Sequence, residues 1–258
     1  MLIATWNVNG IRARQERVLA WMRANTPDAL CLQEIKCQDQ QFPRTEFEAL
    51  GYEIATYGQK AYNGVAILAR GGLADIERGF ADGNEEDPSS RLIAATVQGV
   101  RIVGAYFPNG QEVGTEPYAY KLGWMDRLRA KLAARVTIDA SWVLCGDFNV
   151  APTPADVYDP AHWEGKILNS EPEREGYRRL LAVGFTDAFR KLHPTEVSYT
   201  WWDYRDLGFP KNKGMRLDHL LLTAAVADRL ETASVDREER KGQQPSDHAP
   251  VMVVLRDG

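Results

Sequence analysis

Apolar residues in this chain gather in short runs rather than in long helical stripes. Runs at 2–6, 29–32, 65–68, 92–97, 100–106, 142–145, 217–222 and 251–255 are bounded by polar or turn-forming residues, as buried strands are. At least eight strands are expected. Between them, helical spacing falls at 15–24, 45–50, 118–135 and 173–183, and in the third of these Leu122, Met125, Leu128 and Leu132 share a face. Neighbouring runs such as 92–97 and 100–106 lie too close for a helical crossover. The pattern therefore predicts a β sandwich flanked by helices, not a doubly wound parallel sheet. Stretches rich in Gly, Pro, Asp or Asn at 80–90, 152–172 and 203–214 read as long loops, which in a compact domain commonly bind something. No repeat or linker-like segment interrupts the pattern, so residues 1–258 are expected to form a single domain.

Composition narrows this picture. With 44% hydrophobic and 26% charged residues, the chain has the balance of a globular protein, which excludes disorder and coiled coil. Its 36 acidic residues outnumber 31 Lys plus Arg for a net charge of −5, and this argues against attachment to nucleic acid through a global positive field. Cys31, Cys37 and Cys145 form no CxxC pair, so a disulfide framework or structural zinc site is not expected and a reducing compartment fits better. No apolar run reaches the ~18 residues needed to cross a bilayer, and the first ten residues lack the segments of a signal peptide. A cytoplasmic location without membrane contact is expected.

The chemistry is placed at the ends of the apolar runs. The first ends in Trp6-Asn7-Val8-Asn9-Gly10, the second in Gln33-Glu34, another in Tyr106, another in Gly146-Asp147-Phe148-Asn149, and one meets Asp218. If these ends lie together, an oxygen-rich pocket forms on rigid elements. In an extended segment Asp147 and Asn149 project to one face, where a carboxylate can activate water and an amide can hold an oxygen without adding charge. A strand-ending turn explains the same residues equally well. Glu34 follows an apolar strand, where a lone charge would be costly, and a magnesium ion bound with Asn7 would offset that cost. His162 and His193 read as surface residues and His219 as a packed one, because it points away from Asp218. His248 stands in the turn Ser246-Asp247-His248-Ala249-Pro250, where it can present an imidazole to the pocket. The nucleophile motif GxSxG, the zinc motif HExxH and the phosphate motifs GxGxxG and Walker A are absent from the sequence. Carboxylates, amides, one Tyr and one His are what metal-assisted phosphodiester hydrolysis requires.

Seven motifs then occur in a telling order: Trp6-Asn7-Val8-Asn9-Gly10, Leu32-Gln33-Glu34-Ile35-Lys36, Asn63-Gly64-Val65-Ala66, Gly104-Ala105-Tyr106-Phe107-Pro108-Asn109-Gly110, Gly146-Asp147-Phe148-Asn149, Arg216-Leu217-Asp218 and Ser246-Asp247-His248-Ala249-Pro250. Together they resemble the endonuclease/exonuclease/phosphatase superfamily, and over nearly its whole length the chain resembles the exonuclease III family of abasic-site endonucleases. The resemblance implies a four-layered α/β sandwich of two packed mixed sheets with helices outside, and a divalent-metal site at one end. It also implies Glu34, Asn7 and Asp247 as metal ligands for Mg2+, with Mn2+ as a substitute. By the same resemblance Asp147 activates water, Asn149 holds it or the phosphate, Tyr106 contacts the phosphate, and His248, oriented by Asp218, acts as base or phosphate stabiliser. Which of Asp147 and His248 removes the proton stays open at this level.

For the substrate, the segment from Tyr199 to Met215 resembles the family's abasic pocket, with a flipped sugar resting against Trp201 and Met215; one of the pair Trp201 and Trp202 is expected in the core. Asn9, Arg91, Asn109 and Lys121 are expected at the DNA, together with the cations Lys211, Lys213 and Arg216. The implied activity is cleavage 5′ to abasic sites in duplex DNA by a monomer, with 3′-to-5′ exonuclease and 3′-phosphodiesterase activity at 3′ ends. The alternative is a related phosphodiesterase acting on RNA or a phosphorylated small molecule.

Overall fold

A computed structural model describes residues 1–257. The chain runs β1 (Leu2–Asn7), α1 (Ile11–Asn25), β2 (Ala29–Gln33), α2 (Arg44–Glu48), β3 (Glu53–Tyr57), β4 (Val65–Ala69), β5 (Ala74–Arg78), β6 (Leu92–Val97) and β7 (Val100–Tyr106). It continues through α3 (Glu116–Ala133), β8 (Trp142–Asp147), α4 (Pro160–Trp163), α5 (Glu171–Leu181), β9 (Phe185–Asp187), α6 (Ala188–Leu192), β10 (Trp201–Trp202), β11 (Gly214–Met215), β12 (Asp218–Thr223), α7 (Ala224–Ala227), β13 (Leu230–Val235) and β14 (Val251–Leu255).

Two six-stranded mixed sheets result, ordered β13-β14-β1-β2-β4-β3 and β5-β6-β7-β8-β12-β9. In each, one parallel pair, β1 with β2 or β7 with β8, is joined through a helix, α1 or α3. Antiparallel strands extend both sheets from there.

Alternation along the strands builds the layers. Ile3, Cys31 and Ile67 from one sheet meet Ile93, Ile102, Cys145 and Leu220 from the other in the shared core. The opposite faces hold Trp6, Leu30 and Leu68 under α1 and α2, and Val103, Leu144 and Leu221 under α3 and α5. This is the four-layered sandwich expected from the sequence, and the eight expected strands and four expected helices are all present.

Helix α1 begins at Ile11, earlier than its periodicity suggests, because Asn9 (φ 46°) and Gly10 (φ 102°) adopt left-handed backbone and turn β1 straight into it. Helix α5 starts at the capping box of Ser170 and Glu173, with Pro172 in its first turn. Strands β3, β5, β9, β10, β11 and β13 lack an apolar run. In β5 nearly every residue is exposed, and in β13 only Leu230 and Ala233 are buried, so edge position rather than hydrophobicity defines them.

Gly146 shows how closely the central strands of the second sheet approach. It takes φ 144°, and a Cβ there would lie 1.8 Å from the carbonyl oxygen of Ala105 on β7. Gly146→Ala is expected to destabilise the fold by about 3 kcal/mol, since backbone must move. Urea unfolding measures this, and an unchanged midpoint would contradict the packing.

Candidate active site

Four inward-facing rows of the two sheets end in polar side chains at one end of the core. Ile3 and Thr5 lead to Asn7 on β1, Val143 and Cys145 to Asp147 on β8, Ile102 and Gly104 to Tyr106 on β7, and Leu222 and Leu220 to Asp218 on β12. Register sets Tyr106 and Asp218 on either side of Asp147. Beneath them Thr5 and Gln33 hydrogen-bond each other, at 2.9 Å from Gln33 Nε2 to Thr5 Oγ1, which closes the apolar core with a satisfied polar layer.

His248 completes the group. Its Nδ1 donates to Asp218 Oδ2 at 2.8 Å, and its Nε2 lies 3.6 Å from Asp147 Oδ2. All three side chains are buried. Burial alone would lower the imidazole, but the carboxylates of Asp218 and Asp147 outweigh it and lift its pKa to about 10. Burial raises Asp147 to about 7, with His248 opposing the rise. The Tyr106 hydroxyl is pushed well above its usual value by burial and by the charges of Glu34 and Asp147, which keeps it a hydrogen-bond donor.

Asn149 reaches the site by a turn rather than by strand alternation. It takes φ 50°, and its backbone N–H donates to Asp147 Oδ1 at 2.9 Å. The Asx turn and the site residue are thus the same feature. Its amide donates to the Phe107 carbonyl at 3.0 Å and accepts from Asn109 at 3.2 Å, while Asn109 itself is exposed.

Glu34 is likewise left-handed, at φ 51°, on a loop whose Ile35 N–H binds the Gly64 carbonyl. A Cβ on Gly64 would meet Ile35 at 2.6 Å, which accounts for the glycine of the Asn63-Gly64 motif. Burial raises Glu34, yet Lys36 and Asn7 leave its pKa below the ordinary value.

Asn7 Nδ2 donates to Glu34 Oε1 at 2.8 Å and to Asp147 Oδ2 at 2.9 Å. Two carboxylates facing one small donor form a hard-oxygen set that fits a divalent cation. Asp147, Asp218 and His248 also place ligand atoms within 4.8 Å of one another, and Asp218 Oδ1 is buried without a partner. The cluster could hold a metal ion.

Asp247 is not gathered with Glu34. Its Oδ1 accepts from Asn9 at 3.0 Å and its Oδ2 from Trp201 Nε1 at 3.1 Å. Asn9 in turn accepts from Lys36 Nζ at 2.5 Å, so Asp247 and Asn9 link Trp201 to the Glu34 loop.

Three residues expected at the DNA are buried. Lys121 is fully buried, and its ammonium is spent on the carbonyls of Asn109 (3.1 Å) and Asn149 (2.7 Å) and on Glu173. Arg216 is 1% exposed and locked to Asp156 and Asp187 at 2.7 and 2.8 Å. Met215 is fully buried in a cluster with Ala151, Val157, Leu168 and Leu217, against which half-buried Trp201 packs.

Trp202 is the core member of its pair. Arg91 lies beside Tyr106, its guanidinium 4.8 Å from the ring centre. Lys211 and Lys213 are exposed. Thr200 and Ser246 were not singled out by sequence reasoning. Thr200 Oγ1 accepts from the backbone of Leu217 and Asp218, and Ser246 Oγ donates to the Asn7 carbonyl at 2.6 Å. A hydroxyl that holds backbone leaves no signal in sequence beyond its neighbours' motifs.

A two-sheet sandwich with a buried Asp–His–Asp group beside amides, a tyrosine and a second carboxylate defines a hydrolase of phosphate esters. The chain belongs to the endonuclease/exonuclease/phosphatase family, whose profile matches residues 4–248. It is 34% identical over 268 residues to exodeoxyribonuclease III of Haemophilus influenzae, covering 99% of this chain and all of that protein. It is also 34% identical to the DNA repair nuclease APEX1 of Danio rerio, over 99% of this chain and 82% of that one. Among solved structures, the Neisseria 3′ phosphatase NExo bound to a product DNA hairpin superposes with a TM-score of 0.97 at 40% identity over the full length of both chains. An AP endonuclease from Archaeoglobus fulgidus gives 0.95 at 38% identity over 99% of each. No helix among the described residues is long and apolar enough to cross a membrane.

Next to the site, His219 is neutral by construction, accepting from Arg216 at Nδ1 and facing the Val150 carbonyl with Nε2. Burial, then Arg216, lowers its pKa to about 4 from 6.5. A depressed histidine stabilises the fold fully above pH 6.5 and loses that contribution as pH falls toward 4. Asp187, held at about 2 by Arg216 and His219 against the cost of burial, loses its share only below about pH 4. His248, raised instead, titrates on the alkaline side and adds no slope in this window. Asp147, raised to about 7, contributes in the opposite sense over this window, so the His219 contribution is read by difference: the stability advantage of the parent over His219→Gln is expected to shrink as pH falls from 6.5 to 4 in denaturant titrations.

Proposed function

We propose that this chain is a DNA repair nuclease that hydrolyses phosphodiesters in duplex DNA, at 3′ ends and 5′ to abasic sites. The observation that carries this reading is the buried Asp147–His248–Asp218 group placed beside Asn7, Asn149 and Glu34, with exposed Asn109 and half-buried Trp201 at its edge. The relatives named above, a nuclease, a DNA repair enzyme and a 3′ phosphatase, support the substrate class.

In this reading Asp147, held at the centre of the site by the Asn7 amide and the Asn149 N–H, takes the proton from the attacking water. The charged His248, held by Asp218, and the amide of Asn149 stabilise the phosphoryl oxygens, and the Tyr106 hydroxyl donates to the scissile phosphate. Glu34 and Asp147, both oriented by the Asn7 amide, would hold Mg2+, or Mn2+ in its place, and the ion would supply Lewis-acid stabilisation of the developing charge. The protein works as a single-domain monomer in the cytoplasm, where its three free, buried thiols remain reduced.

One observation favours 3′-end processing as the stronger activity: Met215, against which the resemblance seats a flipped abasic sugar, is fully buried among Ala151, Val157, Leu168 and Leu217.

Duplexes carrying an abasic site, a 3′-recessed end, a 3′ phosphate or no lesion, incubated with and without Mg2+, test the reading directly. Metal-dependent cleavage is expected on the first three, faster at 3′ ends; no cleavage of any of them would end it. Asp147→Asn is expected to slow turnover by roughly 1,000-fold while duplex binding stays near that of the parent. Equal loss of binding would make Asp147 structural.

A further inference from the structure

Lys121 and Glu173 form an ion pair with both side chains fully inaccessible to solvent. Exchanging the water around two charges for each other is a poor route to stability, and a well-packed apolar pair of the same volume often serves as well. What an apolar pair cannot do is bind the polar backbone that these two groups bind.

The three hydrogens of the Lys121 ammonium go to Asn109 O, Asn149 O and Glu173. Glu173 accepts in addition from Leu168 N at 3.1 Å, Ser170 N at 2.9 Å and Ser170 Oγ at 2.6 Å. Tyr118, on the same helix as Lys121, places its hydroxyl 2.7 Å from Ser170 Oγ.

Three loops therefore meet at one buried pair. One carries Asn109, one carries Asn149, and the third, around Leu168, is joined to the second where Ala151 N donates to Leu168 O at 2.7 Å. The Asn149 carbonyl lies just beyond the end of β8, where the left-handed turn (φ 50°) takes it out of strand pairing, so without Lys121 it would be buried and unsatisfied. Gly110 closes the arrangement, since a Cβ there would come within 3.0 Å of Lys121 and Ile167.

We propose that Lys121 and Glu173 are positioning residues for phosphodiester cleavage, holding the Asn149 and Asn109 amides at the scissile phosphate by clamping the backbone of their loops. The inference rests on the reading of those amides as phosphate-site residues. Neither Lys121 nor Glu173 touches DNA.

Lys121→Met leaves Glu173 unpaired and lowers Tm, so the double variant Lys121→Met with Glu173→Leu is measured beside it. Leu132→Ala, in the apolar cluster beneath the same helix, serves as a destabilised control. With each protein held well below its Tm, the single-turnover rate on the duplexes above is expected to fall about 10- to 100-fold in both clamp variants, with duplex Kd changed by less than about threefold. The double variant, rid of the unpaired carboxylate but still leaving backbone groups of the three loops unpaired, is expected to regain part of the lost Tm without regaining rate, and Leu132→Ala to keep the parental rate.

Recovery of rate along with Tm, or an equal loss in Leu132→Ala, overturns the proposal. Amide hydrogen exchange judges the clamp separately from cleavage. In the double variant, which removes the Glu173 carboxylate that accepts from them, the Leu168 and Ser170 amides are expected to exchange at least about 10-fold faster, and unchanged protection would overturn the clamp whatever the duplexes show. Failure of the parental protein to cut any duplex would instead strike the reading of the site.

Discussion

His248 lies across the seam between the two sheets, donating from Nδ1 to Asp218 at 2.8 Å and facing Asp147 with Nε2 at 3.6 Å. Two carboxylates this close inside a protein would repel each other and lose their hydration, and one cationic imidazole between them offsets both costs. Asp218 and Asp147 belong to adjacent strands of one sheet, whereas His248 precedes β14 in the other. The pairing therefore depends on the sheets keeping their relative position, and that position is set by the shared apolar core below.

A belt of neutral hydrogen bonds holds the loops that complete the site. Ser246 fastens the His248 turn to the Asn7 carbonyl, Thr200 accepts from the backbone at Asp218, and Trp6 Nε1 donates to the His248 carbonyl at 3.1 Å. Asn9, Glu34 and Asn149 all take left-handed backbone, a strained choice for Glu34 in particular. Such conformations persist where surrounding contacts over-determine them, and here the Asn63-Gly64 turn and the carbonyl partners of Lys121 supply those contacts.

The distribution of charge changes what the net −5 means. Lys121, Lys131 and Arg216 are buried and paired with internal carboxylates, and buried Arg240 donates to the Ser246 and Trp202 carbonyls, so fewer cations face solvent than the composition implies. The exposed cations that remain include Arg12, Lys211 and Lys213. A protein charged in this way gains little from a diffuse attraction to DNA and depends more on the shape of what enters its site.

Strand ends, the alternation that aims Asn7, Asp147 and Asp218 inward, and the outward direction of His219 were legible in the sequence, because a side-chain period of two is a local property of the chain. So were the sandwich and its four principal helices. Edge strands such as β5 were not, because sheet position and not hydrophobicity makes them strands. The fates of Lys121, Arg216 and Met215 were also beyond local pattern. Lys121 sits on a helix between its apolar positions, and Met215 and Arg216 in a loop-rich, motif-bearing segment, so all three read as exposed, yet Glu173, Asp156 with Asp187, and Leu168 arrive from distant parts of the chain to bury them. Sequence by itself determined which residue types stand at the ends of which strands. Tertiary structure alone decided which charges face the substrate and which are consumed inside, since burial and pairing are properties of segments brought together from far apart.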